Sequence, residues 1–156
     1  TGVQTCALPI SLTTLLIRLM VGSVFLSEGI QKFLFPALRG AGRFVKIGLP
    51  APEFLGGFVG SFEIICGLLI LLGLFTRYAT IPLIIIMLVA IGSTKIPILL
   101  DDGFWQMAHA ARTDWSMLLG SIFLLIKGGG RWSLDTLTAK DLRYDNTMQK
   151  HTSVNQ

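Results

Sequence analysis

Four long apolar segments fill most of this chain, and each contains only a few ionisable residues. They run roughly over residues 12–34, 54–75, 78–96 and 113–127. About 20 mostly apolar residues are enough for a helix to cross a bilayer. Helices of soluble proteins instead carry a polar face, which residues 68–75 and 81–91 lack. The sequence therefore predicts an all-α integral membrane protein, a bundle of four transmembrane helices.

The charge content agrees with a protein embedded in lipid. Only 14% of the 156 residues are charged, against about 25% in soluble domains. The net charge of +4 comes mainly from loop and tail residues, where basic side chains meet lipid head groups. Because no recognition motif accompanies these charges, the predicted partner is the lipid bilayer and not nucleic acid.

The predicted organisation is one membrane domain over residues 11–137. Residues 1–10 lack an initial Met and a basic region, and they do not blend into the first helix. We expect them to be a non-native or disordered leader, of the kind left by read-through of a sequencing adapter. Residues 138–156 form a polar C-terminal tail. No separate soluble domain fits into what remains.

The connections between the helices are read from glycine, proline and charge. A linker over residues 37–52 contains a short helix near Arg43–Ile47. The tight connection at Arg77 makes the second and third helices a hairpin. The third helix is expected to end near Lys95 and Pro97, followed by a long loop over residues 98–112. Basic residues are shared almost equally between the two sides, and Arg18 weakly favours both termini in the cytoplasm.

Glycines recur on one face of each of the first two helices. Gly22 and Gly29 share about 80° of arc with Arg18, Phe25 and Lys32. In the second helix the same spacing places Gly56, Gly60 and Gly67 around Glu63. Glycines at such spacing let membrane helices approach closely. We therefore predict helix packing at these five glycines.

Charged residues inside the apolar segments are the candidates for a functional site. A charge in the hydrocarbon core is costly, so it usually faces the bundle interior and has a partner. Antiparallel packing should bring together five residues in one polar cluster on the side opposite the termini: Glu28, Lys32, Glu63, His109 and Asp114. This cluster is either a charge network that holds the helices in register or a site that binds a ligand or handles protons. No spacing of His, Cys and acids predicts a metal site.

In these residues the chain resembles the DoxX family of small bacterial membrane proteins. The first helix carries the resemblance through Arg18-x3-Gly22-x2-Phe25-x3-Gly29-x2-Lys32. Further matches are Glu63-Ile64-Ile65-Cys66-Gly67, Gly73-Leu74-Phe75-Thr76-Arg77 and Gly130-Arg131-Trp132-Ser133-Leu134-Asp135. They add Arg77 and Arg131 to the motif positions. The resemblance covers about residues 12–137.

The resemblance implies a four-helix bundle in the bacterial inner membrane. Some members of the family are named as subunits of a thiosulfate–quinone oxidoreductase, and others are linked to oxidative-stress complexes. The resulting hypothesis is a subunit of a membrane redox complex that contacts quinone, uses no other cofactor and relies on a protein partner for electrons. The alternatives are a non-catalytic scaffold that anchors a soluble partner, and a small-solute or proton carrier, which would have to form a homo-oligomer.

Overall fold

The computed structural model describes residues 10–130 and 132–136 of the chain. Those residues form four long helices and one short helix. Their bounds are α1 Ile10–Leu34, α2 Ala41–Lys46, α3 Pro52–Leu72, α4 Thr76–Asp101 and α5 Phe104–Lys127. The described part of the chain contains no strand, so the all-α prediction is confirmed. Most of the predicted leader, Arg131 and the predicted tail lie outside the described residues.

Three of the described helices are long and apolar enough to cross a membrane. They are α1 from Leu12, α3 and α4. Helix α5 does not reach the same standard, because His109, Arg112, Asp114 and Lys127 are among its 24 residues. The membrane character of the fold is thus confirmed by length and composition. The fourth crossing stays a prediction.

The long helices are arranged as two tightly packed antiparallel pairs. Helix α1 packs along α3, and α4 packs along α5, while the contacts of α3 with α4 and of α1 with α5 are fewer. We call the end where α1 begins and α5 ends the clamp end, and the opposite end the cavity end. The core contains Val21, Ile70, Leu83 and Leu124, which have no exposed surface.

Glycines allow the backbones of α1 and α3 to touch. A β-carbon added to Gly29 would lie 2.8 Å from the Gly60 carbonyl oxygen, and one added to Gly67 would lie 2.8 Å from the Leu26 nitrogen. At Gly22 it would lie 2.9 Å from the Gly67 oxygen. These approaches leave no room for any side chain, so the glycines set the separation between the two helices.

Gly56 and Gly60 occupy less similar surroundings than their spacing suggests. A β-carbon on Gly56 would lie 2.8 Å from the nitrogen of Ala41, so this glycine faces α2 and not α1. At Gly60 the nearest atoms are side-chain carbons, 3.0 Å away in Phe33 and 3.3 Å away in Lys32. The predicted glycine face of α3 therefore packs against α2 at Gly56 and against α1 at Gly60.

We expect Gly67→Ala to destabilise the protein by about 1–3 kcal/mol, because the new methyl group would meet backbone atoms that cannot rotate away. Gly57→Ala is the matched control on the same helix, since nothing lies within 4 Å of its added β-carbon. Alanine favours helix, so the control should be neutral or slightly stabilised. Thermal unfolding in mild detergent measures both, and equal midpoints would contradict the assigned helix contact.

Arg18 binds the ends of several elements together at the clamp end. Its side chain is 1% exposed, and its guanidinium donates to four backbone carbonyls. Nε donates to Ile70 (2.9 Å) and Nη2 to Leu71 (2.8 Å), in the last turn of α3. Nη1 donates to Gly129 (3.0 Å) and Trp132 (2.8 Å), beyond α5. The last carbonyls of a helix have no partner within it, and Arg18 supplies one.

The segment after α5 folds back onto the start of α4. The Asp135 carboxylate accepts hydrogen bonds from the backbone N–H groups of Phe75 (2.8 Å) and Thr76 (3.4 Å). It therefore caps α4 from a distant part of the chain, as an acid suits a helix N-terminus. Arg77 donates to the Ile126 carbonyl (3.0 Å) in the last turn of α5. These contacts hold the start of α4 against the end of α5 and the segment that follows it.

The predicted loop over residues 98–112 is wrong. Helix α4 passes through Pro97 and continues to Asp101, and α5 begins at Phe104 after Asp102 and Gly103. Proline is tolerated inside membrane helices where neighbouring groups satisfy the freed backbone. The polar residues that suggested a loop lie at the end of α4, in the short connection and on α5.

Candidate functional site

Each helix pair is bridged by a buried ion pair near the cavity end. Lys32 Nζ of α1 lies 2.5 Å from Glu63 Oε2 of α3, and their side chains are 11% and 6% exposed. Lys95 Nζ of α4 lies 2.9 Å from Asp114 Oδ2 of α5, with 11% and 21% exposed. Charges buried in a membrane protein need such partners. The two pairs place four ionisable groups between the helices near this end of the bundle.

The close approach of α1 and α3 explains how Lys32 reaches Glu63. A β-carbon on Gly60 would lie 3.3 Å from the β-carbon of Lys32. Because Gly60 has no side chain, the stem of Lys32 lies across that position. Glu63 follows three residues later on the same face of α3 and receives the ammonium group. The glycine motif and the ion pair therefore belong to one arrangement.

Both ion pairs line one cavity of about 530 Å³ between the helix pairs. Its interior floor, toward the middle of the bundle, consists of Phe25, Met87 and Met117, which are 2%, 8% and 4% exposed. Ser93 and Thr94 add hydroxyl groups to the wall on α4. A largely apolar cavity with a few convergent polar groups is the usual form of a small-molecule site.

A second layer of charge lies at the mouth of the cavity. Arg39, in the linker before α2, lies 3.5 Å from Glu28 of α1, and both side chains are substantially exposed. Arg43 of α2 also lines the cavity. Among the described residues no carboxylate lies within 4.0 Å of its guanidinium. The lining thus holds four cations and three carboxylates, with the unbalanced cation at the mouth.

The structure brings Glu28, Lys32, Glu63 and Asp114 to this cavity, but it places His109 elsewhere. His109 is on the exposed surface of α5, where its Nε2 lies 2.6 Å from Arg112 Nη1. His109 and Asp114 are five positions apart, which is about 140° around a helix. They therefore cannot share a face, and the prediction that His109 joins the cluster is wrong.

Lys95, Arg39 and Arg43 are site residues that the sequence interpretation missed. Arg39 and Arg43 were predicted in the linker, and Lys95 at the end of the third helix. Lys95 is 8% exposed, because α4 continues for six residues beyond it. The signal that could have found it is the pairing rule itself, since Asp114 needs a cation at its own depth.

A comparison with protein families shows which family the chain belongs to. The DoxX family model matches residues 13–96, more than half of the 156 residues. The chain belongs to the DoxX family. The match includes the whole of α1 from Thr13 onward, α2, α3 and most of α4. Of the four residues in the two ion pairs, only Asp114 lies outside the part that defines DoxX.

Two relatives of this DoxX protein are similar over most of their length. An "Uncharacterized membrane protein Rv3486" of Mycobacterium tuberculosis (strain ATCC 25618 / H37Rv) is 58% identical over 130 residues, which are 80% of each chain. A "Putative oxidoreductase CatD" of Bacillus subtilis (strain 168) is 29% identical over 134 residues, which are 85% of this chain and 92% of that protein. No solved structure matches the chain.

Proposed function

We propose that this DoxX protein binds a prenylated quinone in the cavity, as the membrane subunit of a redox complex. The observation that supports this most strongly is the pair of lysine–carboxylate ion pairs facing an apolar cavity of about 530 Å³. A quinone has an apolar ring and tail together with two carbonyl oxygens that accept hydrogen bonds. The cavity offers a surface for each of these parts.

The two lysines have the chemistry that a quinone carbonyl needs. An ammonium group donates up to three hydrogen bonds, so Lys32 and Lys95 can each donate to a ring oxygen while still paired with their carboxylates. Reduction of a quinone to a quinol takes up two electrons and two protons. In this proposal the two ion pairs supply the protons, and Glu28 at the mouth returns protons from the head-group side.

The electrons come from elsewhere, in this proposal from a protein partner that carries a redox cofactor. Among the described residues, no group of three His, Cys, Asp or Glu side chains could hold a metal ion. The Bacillus subtilis relative is named an oxidoreductase, which is the same broad class of function as this proposal. That name supports the proposal at the level of class and says nothing of quinone.

We also propose an orientation in the bacterial cytoplasmic membrane. Four crossings would put both termini on one side, at the clamp end, and Arg18 near that end favours the cytoplasmic side. The cavity mouth with Arg39 and Arg43 would then face outward. This is tested with Lys46→Cys and Lys127→Cys, each labelled in intact cells with a membrane-impermeant thiol reagent. Labelling at position 127 and not at position 46 would show that the orientation is the opposite one.

Binding of a short-chain menaquinone to the protein in lipid nanodiscs tests the proposed function. We expect Glu63→Gln to weaken binding at least about tenfold, equivalent to about 1.4 kcal/mol, because Lys32 would lose its charge partner. Glu53→Gln is the matched control, since Glu53 is an exposed acid on the first turn of the same helix. Equal affinity in wild type and Glu63→Gln, or no binding by wild type, would remove the proposed site.

A further inference from the structure

The cavity has a side opening between α3 and α4, in addition to its charged mouth. Phe58 of α3 and Ile85 and Val89 of α4 all line the cavity. The same three side chains are 49%, 57% and 52% exposed to the surroundings of the bundle. A side chain that belongs to both the cavity wall and the outer surface marks the edge of an opening. All three residues at this edge are apolar.

The depth of the opening places it among lipid acyl chains. Phe58 precedes the end of α3 by 14 positions, and Val89 follows the start of α4 by 13. Both therefore lie about 20 Å from the turn that joins the two helices. Val89 is close to the midpoint of the 26-residue helix α4. The hydrocarbon layer is about 30 Å thick, so a molecule at this opening meets apolar chains and not water.

The arrangement of the helices accounts for an opening at this position. A short turn ends α3 and starts α4, and Arg18 of α1 ties the end of α3 and the segment after α5 together at the clamp end. The contacts between α3 and α4 are far fewer than those within each pair. The pairs separate beyond the clamp, and the cavity and its side opening occupy the space between them.

We infer that the cavity is loaded sideways from the bilayer, by an amphiphile whose apolar tail lies between α3 and α4. Its polar head lies at the Lys32–Glu63 and Lys95–Asp114 pairs. The tail leaves through the edge formed by Phe58, Ile85 and Val89. The inference rests on the proposed function only for the identity of the head as a quinone. The path and the apolar tail follow from the position of the opening.

A phosphatidylcholine carrying a diazirine in one acyl chain is the probe that tests this path. The full-length protein in nanodiscs of this lipid is illuminated, and labelled peptides are located by mass spectrometry. We expect labelling at the cavity floor, on Phe25, Met87 and Met117, which are at most 8% exposed. In this inference, acyl chains reach these residues through the opening.

Val89→Trp should close the opening and reduce labelling of the floor to background. Leu88→Trp is the matched control, because Leu88 is 54% exposed on the same helix and does not line the cavity. The control should keep wild-type labelling. An unlabelled floor in wild type, or equal labelling in Val89→Trp, would overturn the inference. A labelled floor in a protein that binds no menaquinone would uphold the path and reject the proposed function.

Discussion

Replacing Arg18 by alanine should destabilise the protein by more than about 3 kcal/mol. Arg18 donates to four carbonyls while 1% exposed. Its loss would remove a charged donor from carbonyls at the end of α3 and after α5, and hydrogen bonds to charged groups are each worth about 1.5–3 kcal/mol. Arg18→Lys should recover only part of the loss, because an ammonium group cannot reproduce the guanidinium fork. Unfolding in a detergent series measures the difference.

Arg112→Ala is the control for the Arg18 variants. Arg112 is exposed, and among the described residues its side chain hydrogen-bonds only with His109, so its removal should change the unfolding midpoint very little. If Arg18→Ala were as stable as Arg112→Ala, the contacts at the clamp end would not hold the helix pairs together. The account of how the cavity opens at the other end would then fail as well.

Replacing Lys32 by methionine should have a similarly large effect for a different reason. The variant keeps an unbranched side chain of nearly the same length but leaves the Glu63 carboxylate, 6% exposed, without its partner. Breaking a buried ion pair from one side typically costs 3–5 kcal/mol, whereas replacing both partners with apolar groups is often neutral. The double variant Lys32→Met/Glu63→Leu should therefore be more stable than Lys32→Met alone.

A double-mutant cycle on unfolding free energies tests the Lys32–Glu63 contact. The coupling between the two positions should exceed about 1 kcal/mol, because contacting residues are not additive. Additive effects of the two substitutions would show that the pair contributes nothing as a pair. The double variant also separates loss of stability from loss of quinone binding. It should be folded although it lacks both the Lys32 and the Glu63 charge, so weaker quinone binding by it would not be caused by unfolding.

The first half of the bundle could be predicted from the sequence because its signals are local. Unbroken apolar runs gave α1 and α3, and Pro36 and Pro52 lie just beyond or at their ends. The glycine spacing and antiparallel depth brought Gly22, Gly29 and Gly67 into contact with the facing helix. The same reasoning brought Lys32 to Glu63. These relations need only helix geometry and one hairpin-like pairing.

The second half was harder because its helices extend beyond the predicted apolar segments. Lys95 and Pro97 predict a helix end, although residues 98–100 are apolar and the backbone remains helical to Asp101. With Lys95 at the end of a helix, Asp114 was left without its partner. The roles of Arg18 and Asp135 depend on a chain segment that folds back after α5. No local pattern shows which carbonyl or N–H group such a segment will meet.

The most direct test of the central claim is native mass spectrometry of the protein extracted gently from bacterial membranes that contain quinone. Wild type and Glu53→Gln should retain one quinone per chain, and Glu63→Gln should retain almost none. Lipid extraction identifies the bound species. Quinone held equally by all three proteins, or a protein partner held by wild type with no quinone, would contradict a quinone site at the Lys32–Glu63 pair.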